Sequence, residues 1–314
     1  MNGFIWDLNP TILHLGPLQL RYYGIIFASM LYIAFILWKK QVLRGGYSEE
    51  LADKFLLWGV IGVLAGARLG HCFFYEPERY LADPVTILYF WKGGLASHGA
   101  TIGVPIALIL FALRYKLNVL ETLDRCTMSS AVGAAAVRLG NFFNSEIVGR
   151  PTDVPWAVRF PWHDCRSPEM CEAAVPRHPS QLYEFAFGLF VLFTLYWADK
   201  KAGEEKRPLG MMTGIFLGLY FFGRFCVEFV KEYQVDRLIE KASFLTMGQY
   251  LSIIPCAIGT GVLIWALFIG RVPTNRGREA RTPSKKQEST SSFAASTKTV
   301  KPGKKKTKSR KKKR

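Results

Sequence analysis

About seven stretches of this 314-residue chain stay apolar for longer than an aqueous core requires. Crossing a hydrocarbon layer takes about 20 predominantly apolar residues in a helix, which pairs its backbone polar groups internally. The stretches are roughly 19–38, 53–74, 93–113, 119–139, 182–198, 209–228 and 245–269. The fourth is the most compromised, because Asp124 and Arg125 stand in its first turns. The pattern predicts an all-α integral membrane protein of about seven transmembrane helices.

Charge is distributed so as to support this. Half the residues are hydrophobic, yet the formal net charge is +17. Residues 271–314 hold 17 of the 41 Lys and Arg and two of the 24 Asp and Glu, a net of +15. The first 270 residues then carry 24 basic and 22 acidic groups, a net of only +2. The chain therefore reads as a membrane domain, 1–270, and a basic tail, 271–314, too polar to bury a core and expected to be disordered. Attraction to anionic lipid, contact with RNA and a plain solvated role all remain open for the tail.

Lys and Arg in short loops orient the spans. Lys39, Lys40 and Arg44, then Arg114 and Lys116, then Lys200, Lys201, Lys206 and Arg207 share one side with the tail. That side is expected to be cytoplasmic, with the N-terminus outside. No basic leader or cleavage site marks a removable signal peptide. The long segment 140–181 forms an extracytoplasmic head, which its prolines predict to be turns and short extended pieces. Cys165 and Cys171 both fall in it, and a disulfide or two free thiols are equally open.

Charged residues near span ends carry the functional signal. ARLGHCFF at 67–74 and VRLGNFF at 137–143 end two spans of common direction, and GRF at 223–225 ends a third. An arginine within a span costs roughly 2.5–3.5 kcal/mol on insertion scales and so faces a partner or a cavity. Each of Arg68, Arg138 and Arg224 alone could snorkel or pair with Glu146 or Glu228. Three at one depth imply a polar cavity open to the outer leaflet, with forked donors suited to phosphate. RYYG at 21–24, WKGGLASHGA at 91–100, RLGNFFNSEIVGR at 138–150 and RHPSQLYE at 177–184 place further polar groups at that level.

These segments carry a family resemblance. RLGNFFNSEIVGR and HPSQLYE, with RYYG, GARLG at 66–70, the GG…SHG segment at 93–99, Arg224 with Glu228, and TMGQYLS at 246–252, resemble the prolipoprotein diacylglyceryl transferase family. The match runs from about residue 17 to 255 and excludes the tail; Val137 and Ala100 stand where that family usually has glycine. The resemblance implies a cofactor-free and metal-free transferase in the bacterial cytoplasmic (inner) membrane, its active site facing the outer leaflet. The reaction implied moves the sn-1,2-diacylglyceryl group of phosphatidylglycerol onto the lipobox cysteine of a prolipoprotein, leaving a thioether and glycerol phosphate.

It further implies that Arg138 and Arg224 hold the phosphate, with His98 a candidate base, and that Asn141, Asn144, Glu146 and Gly149 shape the site. Tyr22, Arg68, Gln181, Tyr183, Glu184, Tyr220 and Glu228 are expected to contact phosphatidylglycerol. Expected partners are that lipid, the prolipoprotein signal-peptide lipobox and membrane lipids, with no nucleic acid required; the oligomeric state is unknown. A membrane lipid or anion transporter using the same arginines is the alternative, but a translocation path should place polar groups at several depths.

Overall fold

The computed structural model describes residues 3–15, 18–89, 93–94, 96–165, 174–232 and 244–270, with the side chains of Leu15, Leu18, Ser97 and His98 excepted. The tail and Cys171 therefore lie outside the described residues. Long helices dominate: α1 Tyr22–Arg44, α2 Glu49–Phe74, α4 Ser97–Arg114, α5 Val119–Phe143, α7 Ser180–Lys201, α8 Met211–Val227 and α9 Met247–Phe268. Two short helices, α3 Pro77–Ala82 and α6 Pro161–Asp164, lie between them.

Among the described residues, five helices have the length and composition to cross a membrane: Tyr22–Arg44, Glu49–Phe74, Ser180–Lys201, Met211–Val230 and Met247–Phe268. The chain is a mostly helical membrane protein. Two of the seven expected spans are different in kind. The apolar part of α4 is shorter, Gly99–Arg114. α5 is 25 residues long but carries Glu121, Asp124, Arg125 and Arg138.

Helices pair through small residues. Gly62, Gly66 and Gly70 of α2, spaced by four, meet Gly99 and Gly103 of α4, and a Cβ on any of them would run into the facing helix. Backbone approach of this kind replaces the hydrophobic driving force that is absent between helices in lipid. Gly259 of α9 packs on Gly218 and Leu217 of α8 in the same way. Large apolar side chains turn outward instead, as Leu57 and Phe193 do at 64% and 66% exposure. In lipid that is a buried face.

Asp124 and Arg125 are explained by the end of the bundle where α1 and α7 finish and α5 and α8 begin. Asp124 accepts from Gly210 N at 2.7 Å, Thr213 N at 2.8 Å and Thr213 Oγ1 at 2.6 Å. It caps α8 from another helix, satisfying N–H groups that have no intrahelical acceptor. Arg125 binds Glu121 at 2.7 Å and Glu205 at 2.7 Å. Arg44 binds Asp199 at 2.6 Å and Glu205 at 2.9 Å, and Arg207 also pairs with Asp199. Burial alone would raise the Glu205 carboxyl, but Arg125, Arg207 and Arg44 pull it down to about 2.

Short strands cover the opposite end. β1 Phe4–Ile5, β4 Val158–Arg159 and β5 Pro176–Arg177 form a three-stranded sheet, with β1 parallel to β4 and β5 antiparallel to it. β2 Thr11–Leu15 and β3 Leu18–Arg21 form a hairpin. The first span was expected from about residue 19; α1 begins at Tyr22, because residues 18–21 pair with β2. The head is built of turns and short extended pieces over Phe142, Val148, Val158 and Phe160, with Trp6 and Leu182 packed against them. Cys165, within it, is disulfide-bonded.

Two outcomes follow. Asp124→Ala strips the cap from α8 and is expected to cost about 2–3 kcal/mol, read as a lower melting temperature in detergent. Glu205 contributes stability that is fully present above the unfolded carboxyl pKa and is lost as pH falls through its folded value of about 2. The melting temperature of Glu205→Gln should thus lie below that of the parent at pH 7, with the gap closing progressively below about pH 4.5.

Candidate active site

The head end of α5 gathers most of the expected site residues. Arg138 and Asn141 stand on its last turns, and Asn144 closes the helix with its N–H on Gly140 O and Phe142 O. The chain then reverses through Ser145 (φ 54°) and Ile147 (φ 55°). A left-handed β-branched residue is strained and persists only where its surroundings fix it. Here Glu146 N bonds Asn141 O at 2.9 Å, Gln181 Nε2 donates to Glu146 O at 2.8 Å, and Ser180 Oγ donates to Ile147 O at 3.0 Å. The start of α7 thereby holds the Asn144–Glu146 turn against the end of α5.

Gly149 locks this turn to the rest. Its N–H donates to His178 O at 3.0 Å, and Arg150 N donates to Val230 O at 2.8 Å. Gly149 and Lys231 form an antiparallel bridge, and Arg150 Nε donates to Lys231 O at 2.8 Å. A Cβ on Gly149 would meet the backbone of His178 and of Val230, which cannot swing aside.

Charge inside the cluster alternates. Arg138 pairs through Nε with Glu184 Oε2. The other Glu184 oxygen lies 3.0 Å from Lys231 Nζ, which is 3.3 Å from Glu228 Oε2. Glu184, Glu228 and Lys231 are all buried. Arg224 also acts electrostatically on Glu184, and Tyr220 and Glu228 act on Arg138. The start of α9 seals one side: a Cβ on Gly248 would strike the Glu228 carboxylate. That start is fixed by a capping box in which Gln249 N donates to Thr246 Oγ1 at 3.2 Å and Thr246 N to Gln249 Oε1 at 3.0 Å.

Glu146 differs from these two acids. Its carboxylate takes only a long bond from Asn144 Nδ2, at 3.3 Å, and among the described residues no cation lies within ion-pair distance. Burial raises its proton affinity, against the Asn144 amide and the Arg21 charge. Tyr23 packs on Gly140 and lies within electrostatic reach of both Glu146 and Arg138. Tyr22 packs on Phe143, ring centroids 5.3 Å apart.

Two expected contacts, Arg68 and Tyr183, stand apart. Arg68 is buried, but its guanidinium donates to four carbonyls, those of Thr86, Ile87, Gly93 and Gly94, at 2.6–3.2 Å. It also lies over the Tyr80 ring at 4.9 Å. Arg68 thus organises the segment between α2 and α4, beside a separate 210 Å³ cleft with His71, Glu76 and Arg79. The Tyr183 hydroxyl is engaged in the head, by Trp156 Nε1 at 2.7 Å and His178 Nδ1 at 3.2 Å. His98 lies in the first turn of α4, and its side chain is outside the described residues.

Two buried oxygens in the cluster, Asn144 Oδ1 and Gln181 Oε1, have no hydrogen-bond partner among the described residues, whereas Arg138 Nε and both Glu184 oxygens are taken up by the ion pairs above. Buried polar groups are paired almost everywhere in proteins, so unpaired oxygens beside a charged cluster make this end the candidate place for a polar ligand. The donors on Arg138 and Arg224 suit an anion there.

A model of the prolipoprotein diacylglyceryl transferase family matches residues 10–265. The chain belongs to that family. Relatives named phosphatidylglycerol–prolipoprotein diacylglyceryl transferase include that of Nitrosomonas europaea, 39% identical, covering 87% of this chain and 95% of the relative. The protein of Cupriavidus pinatubonensis is 38% identical over 83% of this chain and 92% of its own length. That of Bordetella bronchiseptica is 37% identical, with coverage of 85% and 98%. The family match reaches into every long helix among the described residues, ending within α9, and stops before the basic tail.

Membership in a transferase family makes the charged cluster at the end of α5 the place to look for chemistry. Sequence reasoning missed Lys231 and Gln249. Lys231 had a signal: it stands three residues after Glu228, which stands four after Arg224, so one helical face carries alternating charge. Gly149→Ala should cut turnover by about a hundredfold or more while the protein still inserts, since displacing the Asn144–Glu146 turn by about 1 Å misplaces reacting groups. Initial-rate assays on membrane-extracted protein check this.

Proposed function

We propose that this chain transfers the sn-1,2-diacylglyceryl group from phosphatidylglycerol to the thiol of a prolipoprotein lipobox cysteine. The observation that carries the reading is a charged cluster at one end of an apolar bundle, in which Arg138 pairs with Glu184 and Arg224 acts electrostatically on the same carboxylate, beside the unpaired buried oxygens of Asn144 and Gln181. The family match supplies the reaction class.

In this reading the phosphodiester lies against Arg138 and Arg224, with Asn141, Asn144 and Gln181 around it. The cysteine sulfur attacks the terminal glyceryl carbon. A C–S bond forms, the C–O bond to phosphate breaks, and glycerol phosphate leaves with the bonding electron pair. Preorganised guanidinium groups stabilise the charge developing on the departing phosphate, and they act most strongly where water is excluded. The thiol, of ordinary pKa about 8.5, must lose its proton to become a nucleophile. His98 enters as the acceptor on family resemblance.

Topology follows the same reading. The loops rich in Lys and Arg adjoin the Arg125–Asp199 end of the bundle, which supports placing that end in the cytoplasm. Seven spans, including α4 and α5, then leave the N-terminus and the Arg138 cluster on the outer side of the bacterial cytoplasmic membrane. The charged groups of the inner cluster are ion-paired with one another, which favours a one-sided site over a translocation path.

The test is detergent-purified protein incubated with phosphatidylglycerol and a lipobox peptide. Peptide mass gain matched by glycerol phosphate release is expected, and neither appearing sinks the reading. Arg138→Lys should lower turnover by about 10²–10³-fold with the protein still inserted, because an ammonium cannot reproduce the planar fork. Parental rates in that variant would contradict the role of Arg138.

A further inference from the structure

Lys231 is a buried cation of the charged cluster that the reaction as proposed does not use. It is 4% exposed, and its ammonium stands between two carboxylates, 3.0 Å from Glu184 Oε1 and 3.3 Å from Glu228 Oε2. Its backbone is held as firmly as its side chain. The amide donates to Glu228 O at 3.3 Å, the carbonyl accepts from Arg150 Nε at 2.8 Å, and the residue bridges to Gly149. It therefore joins the turn after α5, the start of α7 and the end of α8.

The charges around it have a definite balance. Arg138, Arg224 and Lys231 are three cations; Glu184 and Glu228 are two carboxylates; the net is +1. A phosphodiester carries one negative charge. Without Lys231 the two acids exactly offset the two arginines, and one Glu184 oxygen and one Glu228 oxygen lose their ammonium partner in a buried setting. Buried carboxylates left in that state turn to the nearest remaining cations, here the two guanidinium groups. Those are the groups the phosphate needs.

We propose that Lys231 is a positioning residue that occupies Glu184 and Glu228, so that Arg138 and Arg224 stay available to a phosphodiester headgroup. It acts through the two acids and does not touch the lipid. The inference rests on the proposed reaction for its kinetic readout and on anion binding alone for its second readout.

The experiment uses full-length protein in detergent. Binding of phosphatidylglycerol against phosphatidylethanolamine is measured by native mass spectrometry, alongside KM and kcat with a lipobox peptide. Lys231→Gln should weaken phosphatidylglycerol binding and raise its KM by about tenfold or more, the effect of one lost charge at short range in a poorly screened site. kcat should fall as well, since the diverted guanidinium groups are those that face the departing phosphate. Lys231→Arg, which keeps the charge, should recover most of the lost affinity. So should Lys231→Gln combined with Glu228→Gln, which removes the surplus acid and restores the net of +1.

Parental affinity in Lys231→Gln overturns the proposal, as does a double variant that folds yet binds no more tightly than the single one. If Lys231→Gln does not survive purification, the double variant decides: near-parental affinity supports charge balance, and lost affinity overturns it. Turnover absent in the parent protein defeats the reaction reading, while the binding series still reports on Lys231.

Discussion

A guanidinium carried into an apolar bundle must find its counter-charge there, and the pairing of Arg138 with Glu184 meets that requirement. Burying either group alone costs several kcal/mol, so neither helix can bring its charge inside unless the other does. The pair thereby sets the last turns of α5 against the first turns of α7. Lys231 then satisfies the second oxygen of Glu184, Glu228 satisfies Lys231, and α8 joins the same cluster. α9 closes over Glu228 at Gly248. One ionic chain thus fixes where four helices end, and a phosphate site built on it inherits that geometry.

The opposite end uses charge differently. Arg44, Arg125 and Arg207 meet Asp199, Glu121 and Glu205, and Asp124 gives its carboxylate to the start of α8. These groups form a closed network. At the Arg138 end, hydrogen-bonding capacity is left over on Asn144 and Gln181 among the described residues. Two polar layers on the same helices therefore differ in what they can do: one stabilises the bundle and the other can accept a ligand. The strained turn at Ser145 and Ile147 sits at the second layer, where backbone strain held by neighbours is characteristic of functional sites.

The sequence made much of this legible because membranes punish polar residues. Arg138, Asn141, Asn144, Glu146, Gln181, Glu184, Arg224 and Glu228 were conspicuous at span ends, and the structure brings Arg138, Glu184, Arg224 and Glu228 into one cluster with Asn144, Glu146 and Gln181 beside it. Arg68 was conspicuous for the same reason but serves four backbone carbonyls, since matching depth does not imply matching azimuth. Lys231 was overlooked because a lysine just beyond a span reads as a solvated end. Only the fold of the turn after α5 back onto it makes it buried.

By itself the sequence determined that the chain lives in a membrane, that its basic excess belongs to the tail, and which family it joins. Those properties depend on composition, on charge counted along the chain and on local motifs, none of which requires knowing what touches what. Tertiary structure decided which charges are partners, which arginine is spent on backbone and which acid has no ion pair among the described residues. Such matters turn on ångström distances between helices far apart in the chain, and Coulomb and hydrogen-bond energies change over that scale in ways residue order does not encode.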